Sequence, residues 1–140
     1  MSYEEKGAWV YVVVFVGTSI AYVAVILGRA AGPTALADVP YRAPMLWTMG
    51  ISIGLSIIGR IALEILRPSD SHKPDVRDKD IGRHSEYVGG SVLAIAALVP
   101  FVLTLLEADY FWIGNSLYAA FALSATVGAA TKIVAYRRGL

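Results

Sequence analysis

The chain has 140 residues, of which 56% are hydrophobic and 16% are charged, and its formal net charge is +1. Soluble domains contain about 45–50% apolar and about 25% charged residues, so this composition excludes an ordinary soluble domain. The near-zero net charge excludes the broad positive field with which proteins attract nucleic acid. The sequence has no cysteine, which excludes disulfides, thiol catalysis and cysteine-ligated metals. Its length fits a single domain.

The first six residues carry acidic as well as basic side chains, unlike the basic start of a secretory signal. Ser2 and Glu5 have the spacing of a capping box, in which two side chains close the first turn of a helix. The apolar run that follows ends in no clear small-x-small cleavage site. We therefore expect a retained first helix.

Four apolar segments are long enough to cross a bilayer, which takes about 20 helical residues. They predict helices over about 8–28, 43–66, 87–106 and 110–136. Lipid offers no hydrogen-bond partners to backbone groups, so each segment must be helical. A soluble bundle is excluded because its helices would need a polar face. The sequence therefore predicts an all-α integral membrane protein, with residues 1–140 forming one antiparallel bundle of four transmembrane helices.

The distribution of Lys and Arg predicts the orientation, because cytoplasmic loops carry an excess of basic residues. One side of the membrane would carry nine of them: Lys6, Arg67, Lys73, Arg77, Lys79, Arg83, Lys132, Arg137 and Arg138. The other side would carry two, Arg29 and Arg42. We expect both termini and the 67–86 loop to lie in the cytoplasm.

The predicted cytoplasmic loop, 67–86, carries five basic and five acidic residues. This balance argues against a patch for anionic lipids, which would be mostly basic. From residue 75 onward the pattern indicates a surface helix that leads into the third span. The loop is either a docking surface for a cytosolic partner or neighbouring subunit, or a solvated connector with weak charge pairs. Its candidate binding residues are Asp75, Arg77, Asp78 and Asp80.

Two histidines in this loop, His72 and His84, raise the question of a metal site formed with the neighbouring aspartates. Asp80 and His84 are four residues apart and would share one face of a helix. However, the sequence has no His-x-x-x-His or Glu-x-x-His pair, and a structural zinc ion needs four ligands. We expect neither a metal nor another cofactor.

Charged residues also occur near the ends of the predicted spans. Arg60 and Glu64 lie four residues apart in the last turns of the second helix, and Lys132 lies at a similar depth in the fourth. Lys132 would reach Glu64 if these helices are neighbours. Charges inside a membrane are costly and often functional, although long side chains near its edge extend to water. The three residues therefore form either a polar cluster at a cytoplasmic vestibule or a set of side chains that snorkel.

Small residues at helix-packing spacing occur in the second helix, where Gly50 and Gly54 are four residues apart. Glycines at this spacing let two helices approach closely. The third and fourth helices carry further small residues: Gly89, Gly90, Ala94, Ala125, Gly128 and Ala129. The contacts would lie within the bundle or between subunits, and we expect a homo-oligomer, most simply a dimer.

Four segments carry a resemblance to a known family: DVRDKDIGRHSEYVGG (75–90), DYFWIGNSLY (109–118), KIVAYRRG (132–139) and YEEKGAW (3–9). The first resembles the Asp-Glu-Arg-Asp/Glu-x-x-Ile segment of a family of small bacterial membrane proteins of unknown function. The others are similar to the actinobacterial branch of that family. The motif departs at Val76, where the family usually has Glu. The resemblance implies a bacterial plasma-membrane protein without established activity or cofactor, whose relatives often accompany small helix-turn-helix regulators.

These patterns favour a non-enzymatic accessory or regulatory protein whose cytoplasmic loop binds a cytosolic regulator or another subunit. The alternative is an oligomeric channel or small-solute transporter lined by hydroxyls: Thr18, Ser19, Ser52, Ser56, Ser124 and Thr126. An enzyme acting on lipids ranks last, because the sequence has no convincing nucleophile–base pair. The expected partners are the lipid bilayer, further copies of the chain and a cytosolic regulator, without direct contact to nucleic acid.

Overall fold

The computed structural model describes residues 3–32, 35–66 and 75–139, and all its regular secondary structure is helical. Five α-helices and one short 3-10 helix follow in chain order: α1 (Tyr3–Arg29), the 3-10 helix (Leu36–Asp38), α2 (Arg42–Leu66), α3 (Val76–Ala96), α4 (Leu98–Leu105) and α5 (Tyr110–Arg138). Helices α3 and α4 together form one span, Val76–Leu105. The all-α architecture with four membrane-length helical spans is therefore confirmed.

Apolar side chains cover the outside of every span. Ile20, Ile53, Phe101 and Phe121 are each more than half exposed in the isolated chain. A soluble monomer rarely exposes apolar surface on this scale, whereas the hydrocarbon of a bilayer covers it without penalty. The same outward-facing pattern explains why few apolar residues are buried inside the bundle.

The third span is longer than a bilayer core. Its 30 residues extend about 45 Å as a helix, against a hydrocarbon thickness of about 30 Å. The surface helix predicted from residue 75 and the span predicted from residue 87 are thus one continuous helix. The first ten or so residues of α3, which carry its charges, project beyond the apolar layer.

A break at Ala97 separates α3 from α4. Pro100 has no amide hydrogen, so the carbonyl of Ala96, the last residue of α3, lacks the helical partner that it would have four residues later. Helical hydrogen bonds continue on both sides of the break, because the amide of Ala97 donates to Leu93 O at 2.8 Å and the amide of Phe101 donates to Ala97 O at 3.2 Å. Thr104 Oγ1 donates to Pro100 O at 2.8 Å and adds a local bond in α4.

Helices α1 and α5 form the centre of the bundle. Helix α1 packs against α2 and α5, while α5 also packs against α3 and α4. The α3–α5 contact depends on two glycines: a Cβ atom added at Gly89 would lie 3.2 Å from Ser124 O, and one at Gly128 would lie 3.4 Å from Ser85 O. Ser124 Oγ also donates to Gly89 O at 2.7 Å. Larger side chains there would push the two backbones apart.

Aromatic residues close one end of the bundle, here called the aromatic end. Its core consists of Tyr22, Ile26, Val39 and Phe111, each no more than 5% exposed. The hydroxyl of Tyr22 donates to Asn115 Oδ1 at 2.7 Å and so links α1 to α5. Val39 comes from the connection between α1 and α2, which therefore packs onto the helix ends as part of the core.

Candidate functional site at the charged end of the bundle

The opposite end of the bundle gathers ionisable side chains from every span, and we call it the charged end. Glu4 of α1 lies at its centre. Its Oε2 atom is 2.5 Å from Lys132 Nζ of α5, and its Oε1 atom is 3.5 Å from Arg60 Nη2 of α2. One carboxylate thus connects three helices, and the side chains of Glu4 and Lys132 are about three-quarters buried.

The residues predicted to form a polar vestibule, Arg60, Glu64 and Lys132, all lie at the charged end of the bundle. Arg60 and Lys132 do meet at one end of the bundle, as the sequence suggested, but the carboxylate that both contact is Glu4. Glu64, the partner expected for Lys132, is half-buried one turn further along α2. Glu4 was missed because it is 128 residues from Lys132 in the chain and lies before the predicted first span.

Aromatic rings hold the guanidinium of Arg60 in place. Arg60 Nη1 donates to the hydroxyl of Tyr11 at 3.4 Å. The guanidinium carbon also lies 5.9 Å from the ring centres of both Tyr3 and Tyr11, within the range of cation–π attraction. Arg60 therefore has a defined position between α1 and α2, which free snorkelling would not require.

A second ion pair joins the two central helices. Arg137 Nε lies 3.8 Å from Glu5 Oε1, and its guanidinium lies 5.5 Å from the ring centre of Trp9. Glu5 is only 8% exposed, so the pair is partly shielded from water. Together with Glu4, it fixes the start of α1 against the end of α5.

The start of α3 is fixed in the same region by two of the predicted binding residues. Asp75 caps the helix, and its Oδ1 accepts from the amide of Val76 at 2.7 Å. The amide of Asp75 donates to Asp78 Oδ2 at 3.3 Å, and the side chain of Asp75 accepts from the amide of Asp78 in return. This reciprocal pattern is a capping box. Asp78 Oδ1 also accepts from the hydroxyl of Tyr136 at 2.6 Å. Asp75 and Asp78 therefore position α3 on the end of α5.

The two remaining predicted binding residues of α3 lie at the protein surface. Arg77 and Asp80 are exposed, as is His84 one turn beyond Asp80. Val76 is 71% exposed beside them. These four residues share one side of the helix, because residues three and four apart lie above one another. We call Val76, Arg77, Asp80 and His84 the outer face of α3.

No metal cluster accompanies this face. In the part of the chain that the structure describes, no three His, Cys, Asp or Glu side chains lie close enough to hold a metal ion. His72, with Arg67 and Lys73 of the predicted loop, lies outside the described residues.

The predicted packing glycines of α2 make no close helix contact within the described chain. A Cβ atom added at Gly50 or Gly54 would meet nothing within 4 Å, whereas one at Gly59 would lie 2.6 Å from Val10 Cγ1. Gly59 is therefore the glycine at which α2 approaches α1. A contact between subunits through Gly50 and Gly54 stays a prediction.

Four of the six hydroxyls proposed to line a channel make hydrogen bonds between helices or within their own helix. Thr18 Oγ1 lies 2.7 Å from Ser52 Oγ and joins α1 to α2, while Ser124 joins α5 to α3. Thr126 Oγ1 donates to the carbonyl of Ala122 in its own helix at 2.8 Å. Ser56 Oγ is buried without a hydrogen-bond partner among the described atoms. A polar path along one chain has little support from this arrangement.

Comparison with known proteins adds no family to these observations. The chain matches no family model, no curated protein and no solved structure. The resemblance of residues 75–90 to a small bacterial membrane protein family therefore stays a prediction. The case for a function depends on the geometry of the charged end.

Proposed function

We propose that the chain is a non-enzymatic accessory protein of a bacterial plasma membrane, whose outer face of α3 docks a soluble cytoplasmic protein. The observation that carries the proposal is the contrast between the outer face and the rest of the charged end. Glu4 and Asp78 are engaged in contacts between helices, and Asp75 caps the first turn of α3. Asp80 and His84 stand exposed on a helix that those contacts hold in position.

Rigidity is the first argument for docking. A connector between two spans needs only enough length, whereas this segment begins with a capping box and is tied to α5 through Asp78 and Tyr136. A surface that is ordered before binding loses less conformational entropy when a partner arrives. The contacts that anchor α3 would therefore favour binding, whereas a simple linker would gain nothing from them.

The chemistry of the outer face favours a protein over lipid or nucleic acid. It projects beyond the apolar layer, so lipid chains do not reach it. It combines an exposed apolar side chain, Val76, with one acidic and one basic residue, Asp80 and Arg77, and with His84. Nucleic acid would require a clear positive excess. A mixed face of this kind is typical of protein interfaces, which pair an apolar centre with charged residues at the rim.

The cytoplasmic location of this face is supported by the distribution of basic residues. Helix ends at the charged end carry most of the Lys and Arg residues of the chain, and Arg29 and Arg42 lie at the aromatic end. Positive charge near spans favours the cytoplasmic side. A partner of the outer face would then be a cytoplasmic protein, such as the regulator that the sequence resemblance suggests.

Site-specific photocrosslinking in native membranes tests this proposal. A photoreactive side chain replaces His84 on the outer face or Arg42 at the aromatic end, and crosslinked products are identified by mass spectrometry. We expect one recurrent soluble protein at position 84 and none at position 42. Arg77→Glu with Asp80→Lys, added to the position 84 variant, should abolish that product, because both charges are reversed.

Three results would count against the proposal. One is crosslinking of position 84 to lipid alone, and another is crosslinking only to a second copy of the chain. The third is an unchanged product after the double charge reversal, since this would show that the outer face does not select the partner. Glu107→Lys serves as a matched control, because it reverses an exposed charge at the aromatic end.

A further inference from the structure

Two adjoining cavities open at the charged end, on a different side of α3 from the outer face. The inner cavity, of about 320 Å³, lies between α1, α3 and α5. The second cavity, of about 340 Å³, lies outside it and shares Gly82, Glu86 and Lys132 with it. Each volume falls at the low end of the range for ligand pockets, about 300–1,000 Å³. We call the two together the cleft.

The cleft changes from charged to apolar with depth. Glu4, Lys79, Arg83 and Glu86 line its opening. Along all three walls the charges then stop: the inner part is lined by Phe15 of α1, Gly89 and Gly90 of α3, and Ala125 and Gly128 of α5. Because Glu86 is the last charge before the uncharged part of the third span, the opening lies at headgroup level. This is the polarity profile of a lipid molecule.

The inner part of the cleft stays open because glycines form part of its α3 and α5 walls. Gly89 and Gly128 bring the backbones of α3 and α5 into contact and form its floor. A Cβ atom added at Gly90 would meet nothing within 4 Å, so the space beside Gly90 is unfilled by the protein. Inside a bilayer such an apolar space is filled by hydrocarbon, and an acyl chain has the required shape and chemistry.

The charges at the opening are unequally engaged. Lys132 pairs with Glu4, and Asp78 accepts from Tyr136. Lys79, Arg83 and Glu86 are exposed around the same opening. Two cations suit a phosphate, which Arg recognises with two parallel hydrogen bonds, and a carboxylate suits an ammonium group. A headgroup that carries both a phosphate and a primary ammonium would complement all three side chains.

We propose that the cleft is a specific site for one phospholipid with a phosphoethanolamine headgroup. Lys79 and Arg83 bind the phosphate, Glu86 accepts hydrogen bonds from the ammonium, and one acyl chain lies along Gly90, Ala125 and Phe15. The balanced charge that argues against a patch for anionic lipids is what a zwitterionic headgroup requires. None of the outer-face residues lines the cleft. The lipid site and the docking proposal can therefore fail independently.

Native mass spectrometry of the full chain tests the lipid site. The chain is purified in mild detergent with equal amounts of phosphatidylethanolamine, phosphatidylcholine and phosphatidylglycerol carrying the same acyl chains. We expect one retained lipid per chain, with phosphatidylethanolamine bound at least about threefold more tightly than the other two, a factor typical of one exposed charged contact. The primary ammonium donates hydrogen bonds to Glu86, whereas the trimethylammonium of phosphatidylcholine has no N–H and phosphatidylglycerol has no cation. Equal retention of the three lipids, or a preference for phosphatidylglycerol, would overturn the assignment.

Gly90→Leu tests the acyl-chain groove. The substitution fills the open space and should weaken retention of all three lipids by about tenfold, as loss of roughly two buried methylenes would. Gly17→Leu is the matched control, because Gly17 is also an exposed helical glycine with nothing within 4 Å of an added Cβ, and it does not line the cleft. Both variants should retain wild-type helix content by circular dichroism. Unchanged retention in Gly90→Leu, or equal loss in both variants, would contradict the groove.

Glu86→Gln tests the headgroup assignment separately. It removes the carboxylate while keeping the size of the side chain, so the preference for phosphatidylethanolamine over phosphatidylcholine should disappear. Total lipid retention should change little, because the phosphate and acyl contacts remain. Glu107→Gln, at an exposed acid outside the cleft, should keep the preference. A preference that survives Glu86→Gln would show that Glu86 does not recognise the ammonium group.

Discussion

The two ends of the bundle are held together by different forces. At the aromatic end, Tyr22, Val39 and Phe111 bury apolar surface in one core, beside an open pocket of about 540 Å³ that Val39 and Phe111 also line. At the charged end, Glu4 and its two cations connect the helices, and a cleft and an exposed face lie beside them. Apolar packing is non-directional, whereas ion pairs and charge-assisted hydrogen bonds fix the positions of the groups that they join. We therefore expect substitutions in the core of the aromatic end to cost the most stability, and we propose binding at the charged end because exposed charges lie there beside helices held in place by ion pairs.

The largest expected effect is loss of a core ring at the aromatic end. Phe111→Ala removes a side chain that is 4% exposed and packs edge-on against Tyr41 at 5.3 Å. We expect a loss of about 2–3 kcal/mol in the free energy of unfolding, below the value for a soluble core because lipid also solvates the exposed ring. Unfolding in mixed micelles measures it. Phe101→Ala, at a lipid-facing ring that is 59% exposed, should change stability by less than about 0.5 kcal/mol.

At the charged end, Glu4→Gln should have the largest effect. The substitution leaves Arg60 and Lys132 near each other without their shared carboxylate. We expect a loss of about 1–2 kcal/mol, less than for a fully buried pair because all three side chains retain some exposure. The loss should shrink at high salt, which screens the repulsion between the cations. Glu107→Gln should show neither the loss nor the salt dependence, and equal effects in both variants would remove the contrast between the two ends.

The two aspartates that precede helices α3 and α5 offer a matched pair. Asp75 makes a capping box, whereas Asp109 has no side-chain capping bond to α5. Asp75→Ala should destabilise the first turn of α3 by about 1 kcal/mol, and Asp109→Ala by only a few tenths. Hydrogen exchange of the amides that follow each position reports the difference. An equal loss of protection from exchange at both sites would show that the capping box does not stabilise the start of α3.

The smallest expected effect concerns the hydrogen bond inside the aromatic end. Tyr22→Phe removes the bond of 2.7 Å to Asn115 without changing the packing of the ring. Hydrogen bonds between membrane helices contribute about 0.6 kcal/mol on average, and we expect a loss of that size. The same unfolding measurement applies, with the exposed Tyr110→Phe as control. A loss as large as that of Phe111→Ala would mean that polar contacts also dominate this end.

The sequence alone predicts the four membrane spans, but it does not predict most of the contacts between them. Hydropathy identifies a bilayer-length helix because lipid contact depends on each segment separately. The role of Glu4 depends on Lys132 and Arg60, which are distant in the chain, so no local pattern indicates it. The motif of Gly50 and Gly54 was visible, but spacing does not tell which side of α2 meets another helix. The structure places Gly59, rather than Gly50 or Gly54, at the close contact of α2, and it places Gly89 and Gly128, two of the small residues singled out in the sequence, at the contact between α3 and α5.

Contacts within the predicted 67–86 loop are also only partly predictable from the sequence. The acidic residues Asp75, Asp78 and Asp80 look equivalent in the sequence. In the structure two of them stabilise the start of α3 and one remains on its outer face. Asp75 precedes the first turn and caps it, which is a local effect, whereas Asp78 differs from Asp80 because it contacts Tyr136 of α5. The pattern of charges does not contain this second contact.

Cysteine labelling of position 80 tests most directly whether the outer face is a cytoplasmic docking surface. The chain has no native cysteine, so Asp80→Cys and Arg138→Cys each introduce a single reactive site. Inside-out membrane vesicles are labelled with an impermeant maleimide before and after peripheral proteins are removed. We expect removal to speed labelling at position 80 by at least about threefold, the exposure gained when a weak interface is lost, and to leave position 138 unchanged. Labelling of position 80 only from the outside of intact cells, or an unchanged rate after removal, would contradict the proposal.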